Sequence, residues 1–309
     1  MTKFKFILTH LIYKSLKFLN YYAGTIYLLK QYLYVIDKIY PPPIAKNDTD
    51  KSDYVWTMWW QGEVPELVNV CISSIKQFYP DTIVITENNL KDYIEIPDYI
   101  IEKMKKGQIC MALFSDIVRI CLLEKYGGTW IDSTCYLTNK IPNYITNSDI
   151  FLFETKRCEY FGYINYFYDL ISNFFIYAKK NNYIIKVLKA FLLEYWKYEN
   201  KSAHYFMFHK FCELAKKYNS NFKEEWDKIP ISCGINTKTM AHVLKKPFDK
   251  DIYDYLHNTS FLHKLTYKNF DSEKIPKDSL YFYLKEQVTS KGFQISSDKN
   301  QVSRKEISH

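Results

Sequence analysis

The chain has 309 residues, 47% of them hydrophobic, enough for one large domain or two small ones with a sizeable core. Its net charge of +8 is uneven, because residues 1–43 hold six Lys and one Asp while the rest is nearly balanced. Nucleic-acid binding is therefore not expected: the basic excess sits on an apolar, aromatic N-terminal segment rather than as a stripe on a folded domain.

That segment, 1–43, has apolar stretches broken by His10, Lys14, Lys17, Asn20 and Lys30, so no run reaches the roughly 18–20 apolar residues a spanning helix needs. Lys beside Phe, Leu and Tyr suits a helix lying in a membrane interface, which is the expectation here. Two helices packing on the main domain through their aromatic faces are the alternative. Pro41, Pro42 and Pro43 close the segment, since proline cannot continue a helix. A polar linker follows at 45–53. The main domain is expected over 44–285, with a loose polar tail at 286–309.

Within the domain, 54–60 reads as a short buried strand, followed by a helix with Pro65 at its first position and apolar Leu67, Val70, Cys71, Ile75 and Phe78 at helical spacing. A second strand at 81–86 completes a βαβ unit, which predicts parallel strands joined by crossover helices. Residues 97–107 form a short helix ending in glycine. Residues 108–128 form a long, largely apolar helix closed by Gly127 and Gly128. Asp116 and Arg119 lie three residues apart on that helix, and charge on an apolar helix must be paired or put to use. Residues 129–132, Thr-Trp-Ile-Asp, then enter the sheet and set Asp132 at a strand's carboxyl end, the side on which open α/β sheets bind ligands. Asp132 with Ser133 and Thr134 is a hard-oxygen set suited to Mg²⁺ or Mn²⁺. Residues 160–228 are aromatic-rich and helical in pattern. The seven cysteines include no Cys-x-x-Cys pair and sit mostly in apolar runs, as buried reduced thiols of a cytosolic protein do. There is no Walker-type loop and no Gly-x-Gly-x-x-Gly, so ATP hydrolysis and hydride chemistry have no support.

The stretch SDIVRICLLEKYGGTWIDST, 115–134, resembles the sugar-transfer segment of glycosyltransferase family 32, in its bacterial branch of capsular polysaccharide synthesis proteins. VWTMWWQGEVPELVNVCISSIKQFYP, AHYFMFHKF and FLHKLTYK are similar to other segments of that branch, so the resemblance spans about 54–270. It implies a GT-A-type, Rossmann-like mixed sheet flanked by helices, with 160–228 as a helical acceptor-side subdomain. It also implies a UDP-sugar donor, a divalent cation (Mn²⁺ or Mg²⁺) and retention of anomeric configuration. By position, Trp59, Trp60 and Gln61 would lie near the base, and Asp116 would bond ribose or sugar hydroxyls. Arg119 would meet the sugar or the diphosphate, Gly127 and Gly128 would turn beside the donor, and Asp132 would face the metal and diphosphate.

Where the wider superfamily carries Asp-x-Asp, this chain has Asp132-Ser133-Thr134, which leaves one firm carboxylate. Thr134 acting through water, or His263, would complete the metal site, with Lys264 or Lys268 near the diphosphate. Glu154 is a candidate acceptor contact. The resulting expectation is a hexosyl- or N-acetylhexosaminyltransferase acting on a lipid-linked oligosaccharide at the inner face of a bacterial membrane. A binding or scaffold protein that has lost activity is the alternative.

Overall fold

The computed structural model describes residues 3–19, 21–39, 52–60, 62–155, 170–230, 232 and 234–289. Gln61, most of the 45–53 linker, residues 160–169 of the expected helical subdomain, Cys158, Cys233 and residues 290–309 of the tail lie outside them.

Two helices, α1 (Lys3–Leu19) and α2 (Tyr21–Lys30), form a hairpin followed by a 3₁₀ turn at Leu33–Lys38. Then come β1 (Val55–Met58), α3 (Glu66–Phe78), β2 (Ile83–Ile85), α4 (Leu90–Tyr93), α5 (Asp98–Lys105), α6 (Met111–Tyr126), β3 (Gly128–Ile131), β4 (Cys135–Leu137), α7 (Asn143–Thr146) and β5 (Ile150–Thr155). After residue 169 the chain forms β6 (Leu170–Ala178), α8 (Tyr183–Tyr198), α9 (Met207–Tyr218), α10 (Ser220–Asp227), α11 (Asn236–Val243), α12 (Lys250–Thr259), β7 (Leu262–Lys264) and α13 (Leu280–Thr289).

The main sheet has the order β2-β1-β3-β6-β5. β1 pairs in parallel with β2 and β3, as the βαβ pattern predicts, while β6 runs antiparallel to both β3 and β5. The fold is thus a mixed sheet flanked by helices. Strand alternation explains its two covered faces. Trp56, Met58, Trp130, Leu152 and Ile176 point to one face, under α6, α8 and α9. Val55, Ile131, Phe151, Phe153, Phe175 and Tyr177 point to the other, beneath α3 and Phe261. The second sheet pairs β4 with β7 antiparallel, and a third apolar cluster (Leu67, Tyr136, Met240, Leu256, Tyr281 and Leu284 among it) seats α11, α12 and α13 beside it.

Three expectations about the elements and their packing change. Leu170–Ala178, read as helical, is a strand, because its apolar run is buried between two partner strands. The last helix continues to Thr289, so residues 286–289 belong to the domain rather than to the tail. The N-terminal hairpin packs on the domain: Leu28, Leu29, Tyr32, Val35 and Ile36 are buried in the largest core cluster. Buried polar contacts fasten it, with His10 Nε2 2.7 Å from Glu199 Oε2 and the Tyr32 hydroxyl donating to Glu199 Oε1 at 2.6 Å. On the outer side of α1, Leu8 and Leu11 stay exposed, with exposed Lys14 on the following turn.

Gly127 and Gly128 join α6 to β3 with φ of 68° and 94°. A Cβ on Gly128 would stand 2.3 Å from the Tyr54 carbonyl oxygen, and one on Gly127 would stand 2.6 Å from the Lys180 nitrogen. Their job is close backbone packing at the amino edge of the sheet. Asp132 is four residues further on, about 13 Å away at the strand rise. The expected place of Gly127 and Gly128 beside the donor is therefore not what the fold gives.

Candidate functional site

The carboxyl ends of β1 and β3 lie side by side, and the charged cluster gathers there. Residues two apart on a strand share a face, so Trp130 and Asp132 point the same way. The Trp130 indole N–H donates to Asp132 Oδ1 at 2.8 Å. Above that ring lies the Arg119 guanidinium, its carbon 5.0 Å from the ring centroid. Arg119 stands on α6, whose other side-chain positions are mostly buried, and it reaches four partners. Its Nη2 is 3.2 Å from Asp132 Oδ1 and donates to Ser115 Oγ at 2.9 Å. Its Nη1 is 3.5 Å from Asp116 Oδ1 and also donates to the Asn173 carbonyl.

Asn173 and its strand are the parts the sequence did not reveal. The β5–β6 register slips between Leu152↔Ile176 and Phe153↔Ser172, so residues 173–175 have no partner on β5, while Phe175 stays paired with Ile131 of β3. Bulges of this kind re-aim side chains beside functional sites. Here the bulge lets the Asn173 amide donate to Asp116 Oδ1 at 2.8 Å. A nine-residue apolar run interrupted by Ser172 and Asn173 was the available signal.

The second sheet supplies the remaining cation. Lys264 is opposite Cys135 in the β4–β7 register, and the Leu265 amide donates to the Thr134 carbonyl at 2.8 Å. This brings Lys264 Nζ to 2.5 Å from Asp132 Oδ2 and 2.7 Å from Thr134 Oγ1. Alternation then sends His263 to the opposite face, where it is fully buried, and burial pushes its imidazole down to about 4. His263 is not brought to Asp132, which corrects its expected role as a metal ligand.

The cluster has two layers. Asp116 and Arg119 are 4% and 3% exposed, so they do not face the solvent side as donor contacts would. They brace the layer above, where the side chains of Asp132 and Lys264 are 21% and 27% exposed. The electrostatics follow this division. Burial raises the Asp116 carboxyl to about 6, against the pull of Arg119. Burial acts the same way on Asp132, but Lys264 and Arg119 outweigh it and hold the carboxyl at about 2. For Lys264, burial pushes the pKa down, and the adjacent Asp132 carboxylate more than offsets this, so the ammonium is held charged.

Around this pair, the Trp59 indole N–H donates to the Glu63 carbonyl at 3.3 Å, and its ring stands edge-on to Tyr267 with centroids 5.3 Å apart. Trp60 turns aside and packs edge-on against Phe114 at 5.0 Å. Trp59 and Tyr267 therefore wall the site between β1 and the loop after β7. Glu154 ends β5 at the same sheet edge, with Lys216 Nζ 3.3 Å from its Oε1.

The donor set does not fit a divalent cation. Among the described residues no three His, Cys, Asp or Glu side chains group as metal ligands. The oxygens of Asp132, the carboxylate of this cluster at the solvent side, already receive Trp130, Arg119 and Lys264. A cation entering beside Lys264 and Arg119 meets repulsion of about 4 kcal/mol per unit-charge pair at 4 Å near a protein surface.

A family model described as capsular polysaccharide synthesis protein matches residues 13–284. Among solved structures, the PaToxG glycosyltransferase is similar at 14% identity, over 72% of this chain and 86% of that one, with a TM-score of 0.37, too distant to carry an inference. No curated protein sequence matches the chain.

Proposed function

The chain belongs to the capsular polysaccharide synthesis protein family, and from that premise we propose that it is a glycosyltransferase that moves a hexose or N-acetylhexosamine from a UDP-sugar to a lipid-linked oligosaccharide. The observation that carries this reading is the Asp132–Lys264 pair at the carboxyl edge of two parallel strands, braced from below by Arg119. A leaving nucleotide develops negative charge on its diphosphate, and preorganised cationic donors aimed there stabilise the transition state. Lys264 supplies that donor at the solvent side. Arg119 and Asp116 fix the position of Asp132. Trp59, with the edge of Tyr267 beside it, offers an aromatic wall for the base.

In this reading the acceptor hydroxyl attacks from the leaving-group face, with retention of configuration, and Glu154 at the same edge is the acceptor-side carboxylate. The enzyme works at a membrane surface. No helix among the described residues is long and apolar enough to cross a membrane. The exposed Leu8 and Leu11 beside Lys14 give α1 an outward face suited to a lipid headgroup layer.

The test is release of UDP from UDP-Gal, UDP-Glc, UDP-GlcNAc and UDP-GalNAc by wild type and Asp132→Asn. Release from one donor, reduced at least a hundredfold by the substitution, supports the reading and names the sugar. Absence of both turnover and donor binding by calorimetry overturns it.

A further inference from the structure

Asp132 and Thr134 are the first and third residues of the stretch at which the resemblance implies a metal, and the space between their side chains is filled by an ammonium. Lys264 Nζ lies 2.5 Å from Asp132 Oδ2 and 2.7 Å from Thr134 Oγ1. We propose that Lys264 takes the place of a divalent cation, so that this chain binds its nucleotide diphosphate donor without metal. The inference rests on the glycosyltransferase reading above and specifies how that site holds its donor.

Three features of the geometry support it. First, the backbone sets the lysine's position, not the ion pair alone. β7 pairs with β4 so that Lys264 stands opposite Cys135, and the ladder continues through the Leu265 amide to the Thr134 carbonyl. Second, an ammonium has three N–H donors, and Asp132 and Thr134 take two of them. The third is left for a phosphate oxygen, on a side chain that is 27% exposed at the ligand edge. A metal ion in such a site does the same job, with protein oxygens on one side and the diphosphate on the other. Third, each oxygen of Asp132 already faces a cation. Oδ1 accepts from Trp130 and faces Arg119, and Oδ2 faces Lys264. The lost second aspartate of the superfamily pattern then has a physical counterpart, because one carboxylate and one hydroxyl match a single ammonium.

In the transfer step, the bond between the anomeric carbon and the diphosphate oxygen breaks, and its electron pair leaves with the nucleotide. The acceptor oxygen bonds to that carbon and loses its proton to solvent or a base. Lys264 keeps its protons throughout and donates a hydrogen bond to the oxygen that gains charge.

Calorimetry of the full chain with UDP, and with GDP and TDP as further probes, in EDTA and then in Mn²⁺, tests this. Paramagnetic resonance of Mn²⁺ measures metal uptake separately. The expected results are UDP affinity within twofold in the two conditions and Mn²⁺ that stays free of the protein. Lys264→Met loses at least tenfold in UDP affinity in EDTA. Thr134→Val, a near-isosteric change that keeps the fold, loses a few fold. UDP binding that requires Mn²⁺, with Mn²⁺ uptake lost in Asp132→Asn, overturns the inference and leaves the transferase reading standing. A chain that binds none of the three nucleotides in either condition overturns both.

Discussion

Asp116→Asn tests the two-layer electrostatics directly. The Asp116 carboxyl is 4% exposed and its pKa rises from 3.8 to about 6. Above pH 6 the carboxyl is ionised in the folded and the unfolded chain, and the folded state bears the full penalty. Between pH 6 and 4 the folded protein holds a proton that the unfolded chain has released, so the penalty shrinks as pH falls. Below about 3.8 both states are protonated and it is gone. The rise corresponds to about 3 kcal/mol at 1.36 kcal/mol per pKa unit. Asparagine keeps the shape, can accept from Asn173, and leaves Arg119 its contacts with Asp132, Ser115 and the Asn173 carbonyl. Asp116→Asn is thus expected to be more stable than wild type at pH 7.5 by up to about 3 kcal/mol, or about 4–5 °C in Tm for a chain of this length. The difference should vanish near pH 4. Paired thermal melts across pH 4–8 measure it. A variant that melts lower at pH 7.5, or a gap that does not change with pH, refutes the reasoning. A confirmed gain means that the wild-type carboxylate lowers stability in return for holding Arg119 in place.

Gly128→Ala sets a Cβ 2.3 Å from the Tyr54 carbonyl at a φ of 94°, and a loss of at least about 3 kcal/mol is expected by denaturant titration. Arg119→Met removes the cation that buried Asp116 shares with Asp132, and should cost about 3–5 kcal/mol at pH 7.5. Adding Asp116→Asn should return part of that loss, and a double variant no better than Arg119→Met would count against the pairing. Glu199→Ala removes the acceptor shared by His10 and Tyr32. Limited proteolysis should then cut within residues 1–39 well before the domain, with a cost of about 1–3 kcal/mol.

Much of the site can be read from local rules. Spacing on an apolar helix puts Asp116 and Arg119 on one face, and a short buried strand followed by Asp132 marks a ligand edge. What local rules miss depends on long-range pairing. Asn173 reaches Asp116 only because β6 inserts between β3 and β5 and bulges there, and a nine-residue apolar run alone does not separate strand from helix. His263 and Lys264 are neighbours in sequence, and only the β4–β7 register decides which of them meets Asp132. Gly127 and Gly128 sit close to Asp132 in the sequence and a full strand length from it in space.

The N-terminal hairpin has a consequence for how the chain is made. Its anchor, Glu199, lies 167 residues beyond Tyr32. At a synthesis rate of about 5–20 residues per second, roughly 10–30 s separate the emergence of the hairpin from that of the surface it docks on. For most of that interval the α8 and α9 surface on which Leu28, Leu29, Val35 and Ile36 pack has not yet been made. An apolar, basic arm made well ahead of its docking surface is open to a chaperone or a lipid surface until α8 and α9 are made.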